Sequence, residues 1–516
     1  KYNRKSEFLM NNLELYSTLE HVLCQKAYPQ EELNAMWEVV LRNQFHDILP
    51  GSSIKEVYET SKEEYDQLLE SGNQYLDQLY SGLTEQINAS QNSVIVYNPN
   101  GFIANDYVEV QLPAGLEEVT VTDGVEIYPY QKVEDKRIIF YAKNVPSKGY
   151  RTFYLEDKPQ SSQTMLNVTT KVMENDFIRI ELNEKGQFSS IYDKIRDREV
   201  LKAGCCGNVL MTYEDRPHKW DAWDVNNYYL EKSWEVDEVS SIEVIEVGNV
   251  RACLKVVRNY LDSTITQYIY IYRDSSRIDI KNIVDWKEEH ILLRVLFPVD
   301  IHANEATFDI QFGNVKRPTH YNTSWDYARF EVCHHKWLDI SEDDYGVSLL
   351  NDCKYGCNVH NGTIGLSLIK SATSPNPDAD KEIHEFTYSL FPHSGDWKSA
   401  RTINQANLLN NPLVAKVKKQ DGGCLPETYS FVTLNAENVI LDTVKKAEDS
   451  NDIIIRVFES FNRRTNVTMK FENKVESIVE CDLMEDDLAP VRLEGAEAHF
   501  TIQPYEIKTF KVRMQA

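Results

Sequence analysis

From Glu7 to Lys26 apolar positions recur at helical spacing. Tyr28-Pro29-Gln30-Glu31-Glu32 then supplies a proline and carboxylates suited to a first helical turn. A second helix is expected to run to about Asp47, with Pro50 and Gly51 as its stop. Ser53-x-x-Glu56 has the form of a capping box for a third helix, in which Ile54, Val57, Tyr58, Tyr65, Leu68, Leu69, Leu76, Leu79 and Leu83 make one stripe. Three antiparallel helices are the economical arrangement of this region.

From Ser93 the pattern changes to period two. SVIVYNPNG, DYVEVQLP, VEIYPYQKV, RIIFYAKN and DFIRIELN are short alternating runs separated by Asn, Pro, Gly and Asp turns, the mark of antiparallel sheets. In STITQYIYIYRD the side chains of Tyr268, Tyr270 and Tyr272 share one face and those of Ile265, Ile269 and Ile271 the other, which suits stacked sheets with both faces covered. The same style resumes at IIIRVFESFNRR and closes with AHFTIQPYEIKTFKVRM.

The expected class is therefore mainly β with an N-terminal helical part: a three-helix bundle followed by antiparallel β-sandwich domains. Polar or Gly/Pro-bearing passages at Asn88–Gln91, Asp157–Gln163 and Lys419–Pro426 place boundaries that give a bundle over 1–88, a small β domain over 89–160, a large sandwich over 161–422 and a C-terminal β domain over 423–516. No repeat of fixed period argues for a propeller or solenoid.

Charge narrows the partners. A formal charge of -26 across 516 residues repels nucleic acid and anionic membranes, and no apolar run approaches the roughly 18 residues a spanning helix needs. Neither nucleic acid nor a membrane is an expected partner. Nine scattered cysteines, an odd number, fit reduced thiols and a cytoplasmic compartment. The start, KYNRKSEFLMNN, has neither a signal peptide's form nor a methionine and reads as a piece of a longer chain.

The candidate chemistry starts at RNQFHDILPGSS. His46 can ligate a divalent metal, and Asp47 beside it can orient that ligand, bind the metal or accept hydrogen bonds from a substrate hydroxyl; the pair also suits an ordinary helix end, and both readings stay open on these residues. Cys353-x3-Cys357-x2-His360 matches no standard zinc spacing, and Cys333-His334-His335, adjacent in a strand, point to alternating faces. YEDRPHKWDAWDVNNYY sets Trp220, Asp221, Trp223 and Asp224 in a non-periodic segment, a composition that suits stacking on a sugar ring or an aromatic plug between sheets. Trp325-Asp326 repeats the pairing.

Seven segments in order, NQFHDILPGSSIKEVYE, FSSIYDKIRDREVL, YEDRPHKWDAWDV, IQFGNVKRPTHYNTSWDYARFE, GVSLLNDCKYG, HEFTYSLFPHSGDW and QPYEIKTFKV, resemble the bacterial and cytosolic branch of glycoside hydrolase family 38, the α-mannosidases. The resemblance spans essentially the whole chain. It implies a large mannosidase-type β-supersandwich after the helices, and a parent enzyme that cleaves terminal α-mannosyl residues of oligosaccharides with retention. Family members use one Asp as nucleophile, another as acid/base, and a zinc ion held by a His-x-Asp pair and an Asp from an N-terminal α/β domain plus one histidine from the helical segment.

Carried over, that histidine is His46, a ligand to Zn2+ or another divalent cation. Asp47 resembles the carboxylate beside it that contacts the sugar, and Trp223 the aromatic that reaches toward the bound mannose. Lys370 falls where relatives tend to carry an arginine, and a lysine lacks the two-pronged contact of that arginine. No His-x-Asp occurs and nothing resembles the catalytic α/β domain, so the resemblance implies no catalytic residue here and a chain that is inactive alone, with its own N-terminal catalytic domain and α-mannosides as partners. The other readings are a non-catalytic carbohydrate-binding module, with Trp220, Trp223, Trp325 and Trp337 stacking on sugars, or an oligomerisation module forming a homo-oligomer.

Overall fold

A computed structural model describes residues 1–159 and 165–515. It divides into two compact units, Lys1–Arg4 with Arg42–Glu64 and Thr164–Asn410, and Lys5–Leu41 with Tyr65–Gln163 and Asn411–Ala516. Among the described residues no helix is long and apolar enough to cross a membrane.

The first unit is built on three antiparallel sheets. The largest has nine strands and runs from Glu238–Glu246 through Ser263–Tyr272, Ile383–Ser394 and Trp337–Ser341 to the edge Gly313–Pro318. A six-stranded sheet places Ile291–Pro298 between Val209–Glu214 and Thr363–Lys370. The expected alternation in Ser263–Tyr272 holds: Ile265, Ile269 and Ile271 are fully buried in the core with Phe297, Leu349 and Tyr388, while Tyr268, Tyr270 and Tyr272 are half-covered. The first four residues belong here because the buried Arg4 guanidinium donates to the Asn351 carbonyl (3.0 Å) and side chain (2.9 Å) and to the carbonyls of His335 and Lys354.

In the second unit α1 (Tyr2–Cys24, from Lys5 on), α2 (Gln30–Asn43, to Leu41) and α3 (Lys55–Gln86, from Tyr65 on) share one core with strands. Tyr16 of α1 and Tyr80 of α3 lie 4.5 Å apart, and Tyr80 meets Tyr97 of the strand Val94–Asn98 at 4.9 Å. The helices are therefore packed on a sheet. Burial of α1 reaches Glu14, whose carboxyl accepts from the Trp37 indole (3.0 Å) and is pushed up by burial to about 7.

Three expectations need correction. The second helix ends at Asn43, four residues short of Asp47, and the third starts at Lys55, so Ser53 lies outside it with its N–H donated to Tyr58. The passage at Lys419–Pro426 is not a linker. Gly423 has φ +123 and sits so close to α3 that a Cβ there would meet the Ile87 carbonyl at 2.3 Å, and Cys424 N–H donates to Gln86 at 2.7 Å. The boundary between 422 and 423 is likewise crossed, because Val414–Val417 pairs with Val94–Tyr97, and Thr428–Ser430 with Gly149–Arg151. Strand pairing places 411–422 with the second unit. The boundary expected at Asp157–Gln163, and with it the division between 160 and 161, runs into 160–164, outside the described residues.

Candidate functional site

After α2 the chain makes successive turns. Phe45 N–H donates to the Arg42 carbonyl (3.2 Å), Ile48 and Leu49 to Phe45 (2.9 and 3.0 Å), and Gly51 to Ile48 (3.1 Å). Pro50 lacks an N–H and disfavours helical backbone at Leu49, and Gly51 takes φ +82, so the turns that follow Asn43 do not resume a helix before Lys55. The base of this loop is fastened: Glu64 accepts from Arg42 and Asn43, each at 2.7 Å, and Tyr58 donates to the Ile48 carbonyl at 3.2 Å.

On that base His46 and Asp47 project outward. The His46 side chain is 74% exposed, its Nε2 is 3.6 Å from Asp47 Oδ1, and its ring rests on Phe45 with centroids 4.3 Å apart. Phe45, Leu49 and Ile54 are themselves exposed, which sets an apolar rim beside an imidazole and a carboxylate. The pair offers at most two metal donors, and among the described residues no group of three His, Cys, Asp or Glu could hold an ion. These residues fit one corner of a divalent site and do not complete it.

Trp223 lies in a second exposed loop. Trp220, with φ +60, accepts from the N–H groups of both Trp223 and Asp224 at 2.9 Å, a turn that leaves both indoles in solvent. The loop is tied down from the far side. Asp221 accepts from the Thr373 N–H (2.7 Å) and lies 3.4 Å from His290 Nδ1, while His290 Nε2 is 3.1 Å from the Thr373 hydroxyl.

At the loop's start Asp215 is buried and pairs with Lys370, whose side chain is only 20% exposed. Burial raises the Asp215 pKa, and Lys370 opposes that shift. The expected substrate-contacting lysine thus spends its ammonium on an internal carboxylate. Sequence reasoning missed Asp215, His290 and Thr373. Lys370 and Asp215 are 155 positions apart, and no local motif links them.

The second Trp-Asp pair is a different object. Asp326 forms the capping box of the short helix α4 (Ser324–Tyr327) with Thr323, so its carboxylate is occupied by the cap while Trp325 is exposed. Asn227 donates to the Tyr327 hydroxyl at 2.8 Å, joining the two segments that carry exposed indoles. Trp337 does not belong with them: it is fully buried against Trp397, centroids 4.9 Å apart, and cannot stack on a sugar.

Several of the other histidines and cysteines are engaged within the fold. His334 Nδ1 donates to the Tyr355 carbonyl (2.9 Å), which leaves Nε2 to accept from Asn351 (2.9 Å), and burial drives its pKa down to about 3. Cys353 and Cys357 are buried free thiols, and His360 stacks on Tyr321 at 3.7 Å. Ser348, His393 and Asp339 have the residue types of a hydrolase triad, yet one nitrogen, His393 Nε2, faces both Ser348 (3.1 Å) and Asp339 (2.8 Å) in a buried setting. A relay needs the two ring nitrogens on opposite partners, so this group holds strands together.

Family models match in the order of the chain: the alpha mannosidase middle domain over residues 1–83, the glycosyl hydrolases family 38 C-terminal domain over 173–378, and the family 38 C-terminal beta sandwich domain over 438–510. The chain belongs to glycoside hydrolase family 38. Within the family it is 33% identical to alpha-mannosidase G of Dictyostelium discoideum over 99% of its own length and 50% of that protein's. It is 30% identical to human alpha-mannosidase 2C1 over 100% of its own length and 49% of that protein's. The chain spans about half the length of these relatives. The crystal structure of an alpha-mannosidase from Enterococcus faecalis V583 superposes with a TM-score of 0.82 at 17% identity, covering 99% of this chain and 66% of that one, which establishes the shared fold. His46 and Asp47 fall in the middle-domain match, Trp223 and Lys370 in the C-terminal-domain match.

Proposed function

We propose that this chain is the middle and C-terminal part of an α-mannosidase that hydrolyses terminal α-mannosyl residues of oligosaccharides with retention of configuration. The observation that carries the reading is the ordered match to family 38 models along the chain, with named α-mannosidases aligned over its whole length and twice as long. His46 is proposed to donate its exposed imidazole to a divalent cation, zinc by preference, whose other donors come from a separate N-terminal catalytic segment. Asp47 and Trp223 are proposed to line the mannose site. Asp215 and Lys370 position the Trp223 loop.

The two carboxyl groups of a retaining site, about 5 Å apart across the sugar, belong in this reading to the same N-terminal segment. The chain alone is proposed to be inactive and the assembly cytoplasmic. Exposed Trp220, Trp223 and Trp325 favour a second reading, a carbohydrate-binding module with no catalytic partner.

The deciding experiment uses the parent polypeptide that carries this segment. An aryl α-mannoside should be cleaved in a chelator-sensitive way, and His46→Ala should lower both bound metal and rate by at least about 100-fold. Unchanged metal content and rate in His46→Ala would sink the assignment of His46. Mannose binding by the present chain alone, lost in Trp223→Ala, would favour the module. Sedimentation at several concentrations tests homo-oligomer formation.

A further inference from the structure

Far from the carboxylate-rich character of the whole chain, two arginines stand side by side without acidic partners. Arg317, on the strand Gly313–Pro318, and Arg329, just after α4, line one small cavity with Phe308, Tyr321 and Asn358. Its enclosed volume is about 10 Å³, room for one water-sized group.

The Arg317 guanidinium lies over the Phe308 ring at 4.6 Å, its Nη1 is buried, and that atom has no hydrogen-bond partner. Neither guanidinium has a carboxylate or hydrogen-bond partner among the described residues, in a chain with 81 acidic and 55 basic side chains. Glu331, two positions beyond Arg329, pairs instead with Arg294 (3.2 Å) and Ser367 (2.5 Å).

Leaving a buried guanidinium N–H unmatched is costly, and a second cation beside it adds repulsion. Burial, and then the Arg329 charge, hold the Arg317 pKa below the ordinary arginine value. An anion resolves both penalties at once. Guanidinium groups prefer planar, multi-pronged contacts to oxyanions, and the aromatic wall excludes water from one side of the contact.

We propose that Arg317 and Arg329 form a binding site for a tetrahedral oxyanion of the phosphate class, one oxygen entering the cavity to meet Arg317 Nη1 and the others held at the mouth by the exposed Arg329. The anion comes either free, as inorganic phosphate, or as the phosphoryl group of a phosphorylated sugar. The site is independent of the mannosidase reading, since it uses neither His46 nor Trp223.

Calorimetric titration of this chain in a low-salt buffer tests it with three probes: inorganic phosphate, mannose 6-phosphate and mannose. Phosphate and mannose 6-phosphate should both bind saturably, and Arg317→Met, which keeps an apolar stem against Phe308, should weaken both at least about tenfold. Arg329→Gln, at an exposed position, should weaken them by a smaller factor and guards against misfolding of the Met variant, which circular dichroism would reveal.

Equal affinity for the two phosphate probes points to the free ion, and tighter binding of mannose 6-phosphate to a glycan-borne group. No phosphate binding at millimolar concentration, as when a water fills the cavity, would overturn the proposal. So would binding that neither substitution changes.

Discussion

His46 and His393 each have an aspartate within reach, at 3.6 and 2.8 Å, but they sit in opposite settings. Around His393 the polar partners are paired with one another, and Asp339, Ser348 and Thr402 are buried: Asp339 accepts from Ser341 (2.5 Å) and Ser348 (2.8 Å), and Ser348 also meets the Thr402 hydroxyl (2.8 Å). Around His46 the backbone is fastened while the side chains are left in water beside exposed Phe45, Leu49 and Ile54. The contrast separates two uses of the same residue types. A closed network whose polar atoms satisfy one another stabilises the fold, whereas a fastened loop that leaves an imidazole, a carboxylate and apolar side chains in solvent contributes little to it and keeps those groups accessible.

The largest effect should come from opening the closed network. Asp339→Ala removes the shared acceptor of two serines and a histidine and should lower the unfolding free energy of its unit by roughly 3–5 kcal/mol, read from denaturant or thermal unfolding. A loss below about 1 kcal/mol would mean that this network is not the tight structure described.

Next in size is the buried His334. Its folded pKa, about 3, lies below the unfolded value, so its contribution to stability is complete above about pH 6.5 and is lost as pH falls toward 3. Acidification from pH 7 to pH 5 should cost about 2 kcal/mol from this group, with its imidazole still neutral in the folded chain. A His334 ring that protonates in the folded state at pH 6 by NMR would contradict the burial and the Asn351 contact. The opposite sign is expected for Glu14 in the second unit. A carboxyl held up near 7 favours the folded state below pH 4.5 and loses that advantage as pH rises through 7. Glu14→Gln should therefore flatten this fall in melting temperature.

Smaller effects belong to the open loops. Trp223→Ala should weaken mannoside binding by the assembled enzyme about fivefold to tenfold, the weight of an aromatic contact of roughly 1 kcal/mol, and appear mainly in KM. Asp215→Asn should produce a similar KM change through a displaced loop, whereas unchanged kinetics would remove its positioning role. Smallest of all, His46→Ala should alter the chain's own stability by less than about 0.5 kcal/mol, because no fold contact depends on the ring beyond Phe45. Serious destabilisation would place His46 with His393, as a structural group.

Much of this was legible in the chain itself. The period-two run Ser263–Tyr272 folded as read, whereas the second helix ends at Asn43, ahead of His46-Asp47 and well before the expected stop at Pro50-Gly51. The helix stops earlier than expected because the turns begin at Gln44, a change no propensity marks sharply. Capping signatures show the limit of local reading: Ser53-x-x-Glu56 and Thr323-x-x-Asp326 have the same form, and Thr323 with Asp326 is the pair that caps a helix here. Tryptophans show it again, since Trp223 is 62% exposed and Trp337 fully buried although both stand beside aspartates or lysines in similar company.

Local periodicity, turn residues and the motif around His46 are properties of neighbours in sequence. The chain alone therefore determined its helices, most of its strands, its family resemblance and the candidate pair His46-Asp47. Which aspartate holds Lys370, which tryptophan is inside, and that two arginines meet without a carboxylate between them depend on contacts between residues far apart in sequence. Only the tertiary structure decided these, because burial and charge pairing are set by which distant strands lie side by side.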